Sequence, residues 1–125
     1  MSTNNDKVPV AVLTQLKTLI VEDDTLVGMG LRAQLEKLGH KVVGQASTGD
    51  EATKLFHEFA PELVLMDIRL DQTDGIQLAG QLLQKRRVPM IIVSAYSDKE
   101  LIDRASAVGV FGYLVKPVSS EALAA

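Results

Sequence analysis

The 125-residue sequence has no cysteine and no tryptophan, and only 4% of its residues are aromatic. The absence of cysteine excludes a disulfide scaffold and thiolate catalysis, and it agrees with a cytoplasmic protein. A formal net charge of -3 argues against nucleic-acid binding, because that affinity depends on neutralising phosphates. The apolar stretch from Val8 to Leu16 is too short to cross a bilayer. We therefore expect a cytoplasmic domain without membrane or nucleic-acid contacts of its own.

The apolar residues, 46% of the chain, follow a pattern in which strand and helix alternate five times from Lys17 onwards. This alternation is typical of one α/β domain with a parallel sheet covered on both faces. The predicted strands are residues 17–22, 40–44, 63–67, 90–93 and 110–115, and the predicted helix caps are Thr25, Thr48, Asp74, Ser97 and Ser119. We expect residues 1–16 to be an N-terminal extension, residues 17–125 to be the domain, and the last helix to be truncated at Ala125.

The uniformly apolar run Leu63-Val64-Leu65-Met66 ends in Asp67, which is typical of a central strand buried on both faces. Open α/β sheets bind ligands at the carboxyl ends of their strands. Other predicted strands also end in reactive side chains, namely Glu22-Asp23-Asp24, Ser94 and Lys116. Because right-handed crossovers place all these ends at one edge, we expect Glu22, Asp23, Asp67, Ser94 and Lys116 to converge.

Such a group of residues has a specific chemistry. Clustered carboxylates favour a hard cation, and Mg²⁺ prefers oxygen ligands. His40 and His57 lack the spacing of zinc ligands. With a cation bound, Asp67 can act as a nucleophile toward a phosphoryl group, while Lys116 and Ser94 stabilise its oxygens. Each residue alone also fits an ordinary turn or surface position, so the prediction depends on their combination.

Four segments together resemble the receiver domain of two-component response regulators, the CheY-like fold family. They are Val21-Glu22-Asp23-Asp24, Leu65-Met66-Asp67, Val93-Ser94-Ala95 and Tyr113-Leu114-Val115-Lys116-Pro117. The resemblance implies a flavodoxin-like, doubly wound, five-stranded parallel sheet with strand order 2-1-3-4-5. It also implies a switch in signal transduction, not a turnover enzyme, which accepts a phosphoryl group from a sensor histidine kinase or histidine phosphotransfer protein.

The same resemblance assigns the residues around the phosphoryl group. Asp67 matches the phosphoacceptor, which forms an aspartyl phosphate. Glu22 and Asp23 match the acids that bind Mg²⁺, with Asp23 as the more direct ligand. The backbone carbonyl of Arg69 matches a further ligand of the metal.

The resemblance also assigns residues that respond to phosphorylation. Lys116 matches the partner of the phosphoryl group, Ser94 the hydroxyl that turns toward it, and Tyr113 the aromatic whose rotamer follows. In this family the bond to Pro117 is usually cis. Asp71 departs from the family pattern, in which many members have proline, and it adds a charge near the site.

The resemblance implies that phosphorylation rearranges the α4-β5-α5 face, built from the fourth helix, fifth strand and fifth helix. That face would control an output domain or partner, or form a homodimer. The segments around Ser94 and Tyr113 also resemble receivers attached to antiterminator (ANTAR) modules, which bind RNA.

Other functions fit the sequence less well. A phosphatase of the haloacid dehalogenase type would need an acid where Arg69 stands. A flavin-binding module would need a phosphate loop where the acidic Glu22-Asp23-Asp24 stands. A receiver-like interaction domain that is not phosphorylated stays open as the alternative, although the intact acids, Ser94 and Lys116 argue against it.

Overall fold

The computed structural model describes residues 15–70, 73–95, 98–116 and 123. Its parallel sheet has five strands, in the spatial order β2-β1-β3-β4-β5. The strands are β1 (Lys17–Val21), β2 (Lys41–Ala46), β3 (Leu63–Asp67), β4 (Met90–Ser94) and β5 (Gly112–Val115). This order confirms the flavodoxin-like sheet that the sequence predicts.

Four helices of the described chain connect these strands. They are α1 (Thr25–Lys37), α2 (Gly49–Phe59), α3 (Gly75–Lys85) and α4 (Lys99–Val108). Within the described ranges, no helix is both long enough and apolar enough to cross a membrane. A short antiparallel hairpin, Arg69–Leu70 with Thr73–Asp74, lies between β3 and α3.

Strand β3 is the centre of the sheet, as its apolar sequence predicts. All five of its residues are buried, and it pairs with β1 on one side and β4 on the other. Because side chains alternate along a strand, the neighbouring residues Leu65 and Met66 enter different core clusters. One cluster lies under α2, α3 and α4, and it includes Phe56, whose burial stabilises the fold by about 1.5–3 kcal/mol. The other lies under α1.

The start of α1 differs from the prediction. The N-cap is Asp24, not Thr25, because the Asp24 carboxylate accepts hydrogen bonds from the N–H groups of Leu26 and Val27. Both residue types are good caps. Strand β1 ends at Val21, one residue earlier than predicted, and the N-cap of α1 is likewise one residue earlier.

The caps of α2 and α3 are those predicted. Thr48 accepts a hydrogen bond from the N–H of Glu51 at 3.1 Å. The Glu51 carboxylate, however, reaches back to the N–H of Ser47 at 2.9 Å, one residue beyond the reciprocal bond of a capping box. Asp74 caps α3 by accepting from the N–H groups of Ile76 and Gln77.

Backbone hydrogen bonds explain two of the differences between the predicted and the observed strand boundaries. Strand β2 continues to Ala46, whose carbonyl accepts from the N–H of Glu22. Strand β5 begins only at Gly112, since the N–H of Val110 is used to close α4 on Ala105, next to Gly109 with φ 94°.

Helix α4 has Asp98 at its N-cap, without a side-chain capping bond. The prediction that Ser97 caps this helix is therefore wrong, because the N-cap lies one residue later. The expectations for the N-terminal extension and for the cap Ser119 stay predictions. Residues 1–14, Asp71, Tyr96, Ser97, Pro117 and Ser119 lie outside the described residues.

Candidate functional site

Three acidic side chains converge at the carboxyl edge of the sheet, as the sequence predicts. Glu22 and Asp23 follow β1, Asp67 ends β3, and one oxygen of each lies within 4.8 Å of the others. The register explains this geometry, because Val21 pairs with Met66 and the next residue on each strand is an acid. Glu22 and Asp67 are buried, with 2% and 8% of their surface exposed, whereas Asp23 is exposed.

The amine of Lys116 lies among these acids. Its Nζ donates a hydrogen bond to Oε1 of Glu22 at 2.7 Å and lies 3.7 Å from Oδ2 of Asp67. Its backbone N–H donates to the carbonyl of Ser94 at 2.8 Å, so the pairing of β4 with β5 continues one residue beyond Val115. That bond fixes the point at which the lysine side chain leaves the sheet.

The environment shifts the pKa values of the Glu22 and Lys116 pair. Burial raises the pKa of Glu22, although the hydrogen bonds from Lys116 and from the N–H of Asp24 oppose this effect. Burial alone would lower the pKa of Lys116, but its bond to Glu22 and the charges of Asp67, Glu22 and Asp23 outweigh it and raise that pKa. The neighbouring acids therefore favour the charged form of Lys116, while Glu22 bears a desolvation cost.

The other predicted site residues lie at different distances from the acids. Ser94 is buried at the end of β4, directly after Val93, which pairs with Asp67. Tyr113 is half-buried, pairs with Ile92 and packs against the core, so it lies below the edge that carries the acids.

Arg69 begins the hairpin that follows β3 and is exposed. Its backbone pairs with that of Asp74 in the antiparallel hairpin. The hairpin therefore connects the residue whose carbonyl is the expected metal ligand with the cap of α3.

Gly75 is a site residue that the sequence predicts only as the start of a helix. A Cβ added there would overlap the carbonyl oxygen of Asp67 and would lie 2.9 Å from the Cα of Ile68. The N–H of Gly75 also donates to the carbonyl of Ile68. Glycine is a poor helix former, so its presence at the first position of α3 was a signal of close backbone approach.

An ion pair connects the Asp74 carboxylate with Arg104 of α4, and no local pattern predicts it across thirty residues. Oδ2 of Asp74 lies 2.6 Å from Nη2 of Arg104. Burial alone would raise the pKa of Asp74, but the bond from Arg104 and those from the N–H groups of Gln77 and Ile76 together lower it.

The acidic cluster fits a small divalent cation. All three donors are carboxylate oxygens, the ligands that Mg²⁺ prefers, and the cluster contains neither histidine nor cysteine. The three carboxylates of Glu22, Asp23 and Asp67 outnumber the one ammonium of Lys116 beside them. A divalent cation would add positive charge to this acidic group.

Residues 18–125 match the response regulator receiver domain family. Over 103 residues the chain is 39% identical to the transcriptional regulatory protein PdtaR of Mycobacterium tuberculosis strain H37Rv, covering 82% of this chain and 50% of that protein. It thus spans about half the length of this relative.

Two solved structures are also similar. The signal receiver domain of a modulated diguanylate cyclase from Desulfovibrio desulfuricans G20 has a TM-score of 0.80 at 38% identity, covering 88% of each chain. The BeF3-activated receiver domain of RstA from Klebsiella pneumoniae has a TM-score of 0.81 at 29% identity, covering 86% of this chain and 92% of that one. With this fold, this edge of acids and this family match, the chain belongs to the response regulator receiver domains.

Proposed function

We propose that this domain accepts a phosphoryl group on Asp67 in a Mg²⁺-dependent reaction and acts as the switch of a two-component system. Receiver domains are signalling switches that bind Mg²⁺ at an acidic pocket. The observation that carries the proposal is the group formed by Glu22, Asp23 and Asp67, with oxygens within 4.8 Å, and the Lys116 amine beside it.

In the proposed reaction, a carboxylate oxygen of Asp67 attacks the phosphorus of a phosphohistidine. An O–P bond forms while the P–N bond breaks, and the electron pair of that bond stays on the imidazole nitrogen of the donor. Mg²⁺, when bound, would supply positive charge to the phosphoryl oxygens. Lys116 would pair with the transferred group, because its amine is already 3.7 Å from Asp67. Hydrolysis by water would return the domain to its starting state.

The other assignments belong to the same proposal. The carbonyl of Arg69 would be a further metal ligand, and Ser94 with Tyr113 would report the phosphoryl group to the α4-β5-α5 face. Through that face, the receiver domain of residues 17–125 would control an output domain or form a homodimer. The partner that supplies the phosphoryl group would be a sensor histidine kinase or a histidine phosphotransfer protein in the cytoplasm. The similar RstA receiver domain has a BeF3-activated form, which supports a domain that can be activated.

A small phosphodonor tests the proposal without the natural kinase. Acetyl phosphate with Mg²⁺ should add the mass of one phosphoryl group, and chelation of the metal or the Asp67→Asn change should abolish that gain. The Asn side chain has nearly the same shape, so loss of labelling would report the nucleophile and not the fold. If Asp67→Asn were labelled as well as wild type, Asp67 would not be the phosphoacceptor. If wild type took up no phosphoryl group, a receiver-like interaction domain without phosphorylation would be the better description.

A further inference from the structure

One carboxylate, that of Asp74, joins two helices at the edge of the candidate site. Its Oδ1 accepts from the N–H groups of Ile76 and Gln77 at 2.9 and 3.2 Å and so caps α3. Its Oδ2 binds Nη2 of Arg104, on α4, at 2.6 Å. The two functions use different oxygens, so they can be separated by substitution.

Asp74 is also tightly connected to Asp67. The residue that follows it, Gly75, approaches the Asp67 carbonyl so closely that no side chain fits, and its N–H donates to the carbonyl of Ile68. A displacement of the Asp67 backbone therefore cannot leave Asp74 where it is. These contacts form a path from the nucleophile to Arg104.

Helix α4 is held less firmly by apolar packing than α3. It buries only Ala105 among its described residues, whereas α3 buries six residues. A cavity of about 270 Å³ lies between α4 and the hairpin, lined by Ile68, Arg69, Thr73, Asp74, Leu101 and Arg104. Because the cavity leaves the apolar contact between α4 and the hairpin incomplete, the ion pair of Arg104 with Asp74 contributes a larger part of the interaction between them.

We propose that Arg104 is a positioning residue that couples helix α4 to the phosphoacceptor strand through Asp74 and Gly75. The inference deepens the proposed function and, in its first test, rests on it. Coupling is reciprocal, so a change at Asp67 shifts α4, and a change at Arg104 shifts the backbone near Asp67. The guanidinium acts through Asp74 and not on the phosphoryl group.

A single fluorescent label measures the first direction. Because the chain has no cysteine and Ser106 is exposed on α4, Ser106→Cys provides one labelling site. Acetyl phosphate with Mg²⁺ should shift the label's emission in the otherwise wild-type chain. Arg104→Gln and Asp74→Asn should each reduce this shift about twofold to fivefold, the range expected for loss of an exposed ion pair. Asn keeps an oxygen that can cap α3.

Matched variants distinguish coupling from general loosening. Arg104→Lys keeps the charge and should restore most of the shift, and the double variant should lose no more than either single variant. Lys99→Gln is the control, since Lys99 pairs at 2.8 Å with Asp103 of the same helix. A full shift in both Arg104→Gln and Asp74→Asn, or an equal loss in Lys99→Gln, would overturn the inference.

The second direction needs no phosphorylation. In the unmodified protein, Arg104→Gln should move the backbone amide resonances of Asp67 and Ile68, and Lys99→Gln should leave them in place. If these resonances move but wild type takes up no phosphoryl group, the coupling stands and the proposed function fails. If they do not move, the coupling is overturned whatever the label reports.

Discussion

Lys116 donates a hydrogen bond to Glu22 and forms a longer ion pair with Asp67: its Nζ lies 2.7 Å from Oε1 of Glu22 and 3.7 Å from Oδ2 of Asp67. Glu22 therefore holds the amine at the edge of the site before any phosphoryl group is present. The same bond compensates part of the cost of burying Glu22, whose pKa is raised by that burial.

Removing the amine should separate metal binding from the response to phosphorylation. Lys116→Ala deletes a positive charge next to the acids, so Mg²⁺ should bind at least as tightly as in wild type. The response of α4 to phosphorylation should be lost. Without the metal, the variant should unfold more easily by about 1–3 kcal/mol, because the buried Glu22 loses its partner. Mg²⁺ titration and urea unfolding measure these effects, and loss of Mg²⁺ binding would contradict the assignment of Lys116.

The contact between Gly75 and Asp67 predicts a large effect of one methyl group. Gly75→Ala places a Cβ against a backbone oxygen that cannot move aside, so the protein should lose about 1–3 kcal/mol of stability or more. Labelling of Asp67 should fall with it. Gly30→Ala is the matched control in α1, where a Cβ meets no atom within 4 Å and alanine favours the helix, so stability should rise by about 0.5–1 kcal/mol. Equal unfolding midpoints for the two variants would count against this close approach.

The corrected helix cap can be tested with two threonines. Thr48→Ala removes the acceptor for the N–H of Glu51 and should cost about 0.5–2 kcal/mol. Thr25→Ala should change the free energy of unfolding by much less, since Asp24 caps α1. Thermal or urea unfolding of the two variants compares them directly. If Thr25→Ala lowered the free energy of unfolding as much as Thr48→Ala does, Thr25 and not Asp24 would be the cap of α1.

The ion pair of Asp74 with Arg104 should give a pH-dependent contribution to stability. The pKa of Asp74 is lowered in the folded protein, so its contribution is fully present above the unfolded pKa and is lost as pH falls through the folded pKa. Since both side chains are more than a third exposed, the contribution at neutral pH should be only about 0.2–1 kcal/mol. The stability difference between wild type and Arg104→Gln should therefore vanish in acid, and a difference that grows toward low pH would have the wrong sign.

The predictions from the sequence agree best with the structure where a local pattern of residues determines the position of a strand or of its last residue. The run that ends in Asp67 identified the central strand, because an uninterrupted apolar segment is stable only when both faces are covered. The residues at the carboxyl edge of the sheet could be predicted from the positions of the strand ends alone. Thr25 and Asp24 could not be separated, since both are good caps and stand side by side. The contacts of Gly75 with Asp67 and of Arg104 with Asp74 depend on how distant segments meet, which no local spacing encodes.

The position of Asp67 on the fully buried β3 also concerns how the domain opens. Hydrogen exchange at the amides of β3 should require unfolding of the whole domain, whereas α4, which buries only Ala105 among its described residues, should exchange through small local openings. The proposed phosphoacceptor should thus be part of the slowest-exchanging segment. The helix proposed to respond to it should belong to a fast-exchanging one.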